Sequence, residues 1–281
     1  MAFLLAGLSS LIYGVCDFSG GLATRRAHVL AVTLWANVVG LAIAIGVAMI
    51  GHQVEAASVT LSDLAWGLGS GVAGVTGLAL YFQGMARGQM AVVAPVSAVT
   101  LALVPFLFGV ATGERYPPLA WLGVLVAMPA LWLTVQTGSS QNRPGKALYG
   151  VAAGVTFSLF LVAIAQTSPE SGLWPLVAMR VGGLTLLTAL VFSRALFTDQ
   201  ARPGLPPGAR LPTLIAGGDI LANLAYLLAV RIGPFGLVTV VSTFYPVVIA
   251  LLARVVEKER ISPHRLLGLA LTVLSLVLIT R

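Results

Sequence analysis

Charge is what this sequence has least of. Its 281 residues include 16 Lys or Arg and 9 Asp or Glu, so 9% are charged, against roughly 25% in an average soluble domain. Hydrophobic residues make up 58%, and mean hydropathy is +0.98. A soluble fold cannot hide that much apolar surface and still cover itself with polar atoms. A soluble enzyme and a disordered chain are therefore excluded. A single cysteine, Cys16, excludes an intramolecular disulfide and a cysteine zinc site. The three histidines, His28, His52 and His264, lie far apart in sequence, so no metal site and no cofactor are expected. No Gly-x-x-x-x-Gly-Lys-Ser/Thr loop is present, which excludes ATP hydrolysis by that route. No basic run exceeds Arg25-Arg26, so the net charge of +7 is no nucleic-acid footprint.

What is present is one long apolar run after another. A spanning helix needs about 20 apolar residues. The runs give ten spans at 3–23, 28–50, 64–84, 90–111, 118–136, 147–167, 173–193, 211–230, 236–255 and 264–280. Unpaired backbone groups in lipid cost several kcal/mol each, so long runs without alternation become helices. The first run lacks a basic segment before it and continues to Ala23, so it reads as a span rather than a signal peptide. Turn chemistry marks the breaks at Tyr116-Pro117-Pro118, at 139–145 and at 202–208. Twelve Lys or Arg fall on one side of this arrangement and only Arg115, Arg231 and Arg281 on the other. The basic side is then cytoplasmic and both termini face out.

The halves repeat. At a shift of 145, Val96-Ser97 falls on Val241-Ser242, Glu114-Arg115 on Glu259-Arg260, Pro118 on Pro263, Leu122-Gly123 on Leu267-Gly268 and Tyr81 on Tyr226. At a shift of 143, Asn37 falls on Arg180 and Gly40-Leu41 on Gly183-Leu184. Five spans per repeat is an odd number, so the second repeat enters the membrane inverted. The expected fold is an all-α membrane protein, with ten transmembrane helices as two inverted five-helix repeats around a central cavity. The repeats occupy 1–138 and 147–281, joined by a loop over 139–146. Secondary transporters are often built this way, with substrate near the midplane.

The segments Tyr81 to Val135 and Tyr226 to Ile279 carry a resemblance. With Ala86-Arg87-Gly88, Gly113-Glu114-Arg115 and Lys258-Glu259-Arg260, the chain resembles the ten-helix EamA-type exporters of the drug/metabolite transporter superfamily. YddG-like amino-acid exporters are the favoured comparison. The resemblance implies that helices one to four and six to nine surround the cavity, with helices five and ten peripheral. It implies a multi-pass protein of the bacterial inner membrane, acting as a monomer or weak dimer. Its partners would be the lipid bilayer and a small-molecule substrate, first of all amino acids including aromatic ones, with possible proton coupling. Many members carry basic residues after the second helix. Here the basic pair follows the first, which points to the reverse orientation.

Three charges lie well inside spans: Asp17, Arg180 and Asp219. Each costs at least about 2.5 kcal/mol at the bilayer centre unless it faces a bundle interior or a wet cavity. Arg180 suits a substrate carboxylate through its planar fork of donors, or else an internal ion pair with an aspartate. Asp17 and Asp219 suit proton binding, or structural pairing. Polar residues recur at helical spacing as Ser9, Tyr13 and Asp17, as Thr33, Asn37 and Gly40, as Ser70, Gly74, Gly77 and Tyr81, and as Asp219, Asn223 and Tyr226. Ser97, Ser242 and Tyr245 mark helices four and nine. The substrate pathway expected from these is Tyr13, Asp17, Asn37, Tyr81, Ser97, Arg180, Asp219, Asn223, Tyr226, Ser242 and Tyr245. Small polar residues and glycines also serve helix packing, which the same stripes allow. Pro95, Pro105 and Pro246 interrupt hydrogen bonding and are either gating hinges or static bends. Glu114-Arg115 and Glu259-Arg260 read as loop ion pairs that close gates, or as ordinary solvated ends. An intramembrane enzyme would need clustered metal ligands or a nucleophile with a base, and the spans offer neither. A channel remains the other alternative, separable by saturable counterflow.

Overall fold

The computed structural model describes residues 1–54, 56–84, 90–135, 147–195, 204–258 and 262–281. Ten stretches are helical and apolar enough to cross a membrane. The first seven are α1 (Ala2–Thr24), α2 (Val29–Val54), α3 (Leu61–Gly84), α4 (Met90–Ala111), α5 (Pro118–Val135), α6 (Ala147–Ala165) and α7 (Trp174–Ala195). Spans eight and nine are each broken into two helices. Span eight is α8 (Pro207–Gly217) and α9 (Asp219–Ile232); span nine is α10 (Phe235–Ser242) and α11 (Tyr245–Val256). The last span is α12 (Pro263–Thr280). All ten expected spans are found, within a few residues of their expected bounds.

Both breaks have local causes. At Gly218 the backbone tightens, and its N–H donates to the Ile215 carbonyl, 2.9 Å away, a three-residue bond in place of the helical four-residue one. In span nine the interruption at Thr243-Phe244 comes just before Pro246. Proline has no N–H to donate one turn back, and Phe244 instead donates to the Val241 carbonyl at 3.3 Å. Pro95 and Pro105, by contrast, sit inside an unbroken α4.

The helices alternate direction and define two ends. The basic end carries Arg25, Arg26, Arg210, Arg254, Lys258 and Arg265 among the described residues; the far end carries the turns at 112–117, 166–173 and 233–234. Packing crosses between the halves. Span one packs on spans eight and nine, and span six packs on spans three and four; span two meets seven, four meets nine, and five meets ten. Exchanging each span with the one five places away reproduces this set. The α5–α12 contact is reciprocal in detail. Gly123 lies against Ile279 and Gly268 against Thr134, and both pairs are related by the same 145-residue shift. A Cβ on either glycine would meet those side chains at 2.7 Å, so only glycine permits this approach. α12 makes its substantial contacts with α5, and the two flank the bundle.

Candidate functional site

A cavity of about 820 Å³ penetrates the bundle from the basic end. Its lining begins near Thr24, Arg25, Glu257 and Arg265 and ends in mid-span at Arg180, Asp219 and Ser242. Ten of the eleven expected pathway residues border it: Tyr13, Asp17, Asn37, Tyr81, Ser97, Arg180, Asp219, Asn223, Ser242 and Tyr245. Phe157 and Phe160 of α6 add aromatic wall that sequence reading passed over. Tyr226 stands apart. It is fully buried, its hydroxyl 3.0 Å from Thr239 Oγ1 and 3.3 Å from the Leu161 carbonyl. It does not border the cavity. Pro246 borders the cavity, whereas Pro95 and Pro105 do not.

The cavity floor is a hydrogen-bonded chain across four spans. Arg180, 6% exposed, donates from Nη2 to Asp219 Oδ1 at 2.7 Å and from Nη1 to Asn37 Oδ1 at 3.1 Å. Asn37 Nδ2 donates to the Thr33 carbonyl at 2.9 Å. Asn223 Nδ2 donates to the Asp219 carbonyl at 3.0 Å, and the Tyr13 hydroxyl donates to Asn223 Oδ1 at 2.5 Å. Tyr13 in turn lies beside Tyr245, ring centroids 6.1 Å apart. The ion pair between Arg180 and an aspartate, one of the two readings open from sequence, is thus formed. Asp219 also occupies the first turn of α9, created by the Gly218 break, where a carboxylate is favoured by the helix dipole. Gly40 makes room for the guanidinium, since a Cβ there would lie 2.9 Å from Arg180 Nε.

Other stripe residues serve packing. Ser9 donates to the Ala222 carbonyl at 2.9 Å and Ser70 to the Phe160 carbonyl at 2.9 Å. Gly67 and Gly71 abut α7, and Gly74 and Gly77 abut α6. Ser242 Oγ is buried with no hydrogen-bond partner among the described residues. It faces the cavity beside the span-nine break.

The far end is shut by polar contacts that sequence reading assigned differently. From sequence, Glu114 reads either as half of a loop ion pair or as an ordinary solvated end. Its carboxylate instead accepts from the backbone N–H groups of Phe235 at 2.6 Å and Gly236 at 3.0 Å, capping α10, and it also accepts from the Tyr116 hydroxyl. A helix N-terminus offers unpaired N–H donors, and an anion satisfies them. Burial first, and then the Glu114 carboxylate, push the Tyr116 phenol above its ordinary pKa, so it stays a donor. Tyr116 stacks on Phe106 at 4.9 Å, and Trp121 meets Phe106 edge-on. Asp63, not singled out from sequence, forms a reciprocal cap with Thr60 and reaches across to Ser168 N at 2.7 Å. The Thr-x-x-Asp spacing before an apolar run was the available signal. Arg231 donates to the carbonyls of Ser168 and Gly172 at 3.0 and 2.9 Å.

At the basic end, Arg25 and Glu257 form an ion pair at the cavity mouth. Glu259-Arg260, Ala86-Arg87-Gly88 and the 139–146 loop lie outside the described residues. No group of three or more potential metal ligands occurs among the described residues.

Fold and cavity together define a multi-pass membrane transporter. The profile of the EamA-like transporter family matches the chain twice, over residues 1–136 and 145–281. The chain therefore belongs to that family of drug/metabolite transporters, which are transporters rather than enzymes. It is also similar to a solved crystal structure with a TM-score of 0.76, 20% identity, and coverage of 99% of this chain and 97% of that one; that likeness concerns the fold. No curated protein sequence matches the chain significantly.

Proposed function

We propose that this transporter exports small metabolites, amino acids including aromatic ones first among them, by alternating access between two inverted five-helix halves at 1–138 and 147–281. One observation carries the reading. A cavity of about 820 Å³ runs from the basic end to the Arg180–Asp219 pair and stops there, while the far end is held by Glu114 on α10. A cavity reaching one end and blocked at the other is one state of an alternating-access cycle. The volume lies within the range of roughly 300–1,000 Å³ typical of small-molecule sites, and its walls carry six aromatic rings: Tyr13, Phe18, Tyr81, Phe157, Phe160 and Tyr245.

Two arguments support the inverted repeat. Asn37 and Arg180 are equivalent at the 143-residue shift, and they touch. Equivalent residues meet at a two-fold axis, so this contact marks where the axis would pass. The reciprocal Gly123 and Gly268 contacts obey a two-fold relation as well, at the 145-residue shift. The excess of Lys and Arg makes the basic end cytoplasmic, with both termini outside. The cavity then faces the side from which a YddG-like exporter of the bacterial inner membrane loads. Asp17 and Asp219 are the acids on which proton coupling would fall.

The test is counterflow in proteoliposomes with a radiolabelled amino-acid panel, with and without a pH gradient. Saturable uptake accelerated by unlabelled substrate on the opposite side is the expected result. Flux that neither saturates nor responds to internal substrate would make the protein a channel. Saturable flux of other metabolites or drugs alone would remove amino acids and keep the carrier.

A further inference from the structure

Arg180, Asp219 and Asp17 all border the cavity at membrane depth, but they are not equivalent. Arg180 and Asp219 neutralise each other at 2.7 Å, and Asn37 takes a second guanidinium nitrogen. Asp17 is left over. Its side chain is exposed to the cavity, and its carboxylate has no hydrogen-bond or ion-pair partner among the described residues. The deep cavity therefore holds one acid that no cation is paired with. An unpaired ionisable group in a span is costly, and such residues mark substrate or ion paths.

The surroundings favour a particular countercharge. Tyr13 lies one helical turn from Asp17 on α1, with Tyr245 beside it. Tyr81 and Tyr245 line the same cavity as Asp17. Tyr81 in turn neighbours Phe157, ring centroids 6.4 Å apart. Aromatic faces attract ammonium groups and are indifferent or unfavourable to carboxylates. An incoming carboxylate would meet a buried guanidinium whose two terminal nitrogens are already held by Asp219 and Asn37, with only Nε left, packed against Gly40.

We propose that Asp17, with Tyr13, Tyr81 and Tyr245 around it, is the seat of a protonated substrate amine, so that the cavity selects its ligand by an ammonium group and not by a carboxylate. This rests on the transport reading above and narrows its substrate class. Amino acids enter amine-first, and simple aromatic amines bind without any carboxylate.

Three probes decide it: tyrosine, tyramine and 3-(4-hydroxyphenyl)propionate, which keep the ring and delete one charged group at a time. Direct binding to the purified full chain is measured at constant pH. Tyramine should bind at least as tightly as tyrosine, and the propionate at least about tenfold more weakly. Asp17→Asn should lower tyramine affinity about tenfold or more with the unfolding temperature unchanged, and Asp17→Glu should restore most of it. Saturable binding of the propionate as tight as tyramine overturns the proposal, as does the absence of tyramine binding. Unchanged tyramine affinity in Asp17→Asn, with loss of pH-driven uptake only, overturns it in favour of a proton site. Counterflow separates the two levels. Tyramine binding that depends on Asp17 without counterflow keeps the amine seat and removes the carrier, whereas counterflow of the propionate alone keeps the carrier and removes the seat.

Discussion

Tyr81 and Tyr226 occupy matching positions in the two halves, one toward the basic end and the other toward the far end. Tyr81 borders the cavity; Tyr226 is sealed against Thr239 and Leu161. The residues are the same, and what differs is the state of the end each one serves. The far end closes through carboxylates and a guanidinium bonded to backbone groups: Glu114 on α10, Asp63 on Ser168, and Arg231 on Ser168 and Gly172. These are charge-assisted bonds in partly buried places, where they are worth more than neutral ones. The basic end has Arg25 and Glu257 at the cavity mouth, with the arginine side chain 62% exposed. Such a pair is weak in water. The contrast explains why one end holds while the other admits a cavity.

The largest effect is expected where the two ends meet. Arg180→Met strands Asp219 as an unpaired charge in the bundle, which should cost about 3–5 kcal/mol. A fall of many degrees in the unfolding temperature of the purified protein, together with loss of counterflow, is the expected outcome. Adding Asp219→Asn should recover part of the stability. A single substitution that leaves the melting curve in place would mean that the pair does not hold α7 to α9.

Glu114→Ala tests the far end alone. Removing the cap of α10 should cost about 1–2 kcal/mol, and the amides of Phe235 and Gly236 should exchange with deuterium faster while those of α11 keep their protection. Equal exchange in both proteins would remove Glu114 from the seal. Glu257→Ala tests the basic end and should have the smallest effect, under about 1 kcal/mol, vanishing at high salt. If it proved as costly as Glu114→Ala, the distinction drawn between the two ends would fail.

Legibility from sequence was uneven for physical reasons. Asp17, Tyr13, Asn37 and Arg180 were found because a polar group in an apolar run needs a partner, and helical spacing puts such groups on one face. Glu114 was noticed, but neither of its readings, a loop ion pair or a solvated end, includes the helix it caps. An adjacent arginine suggests an ion pair, yet the N–H groups it caps lie about 120 positions further on. Asp63 escaped notice because it stands at the first turn of its span, where a polar residue excites no surprise. The break at Gly218 has a local signal in Gly217-Gly218-Asp219 that went unused, whereas Pro246 did mark the break in span nine.

The sequence by itself determined ten spans and the polar positions within them. Lipid leaves a long apolar segment little choice but a helix, and that constraint acts along the chain. Only the tertiary structure decided which charges pair, which tyrosine is hidden and which end is shut. Those outcomes depend on distances between helices far apart in sequence, as Asn37 and Arg180 are, 143 positions from one another yet 3.1 Å apart.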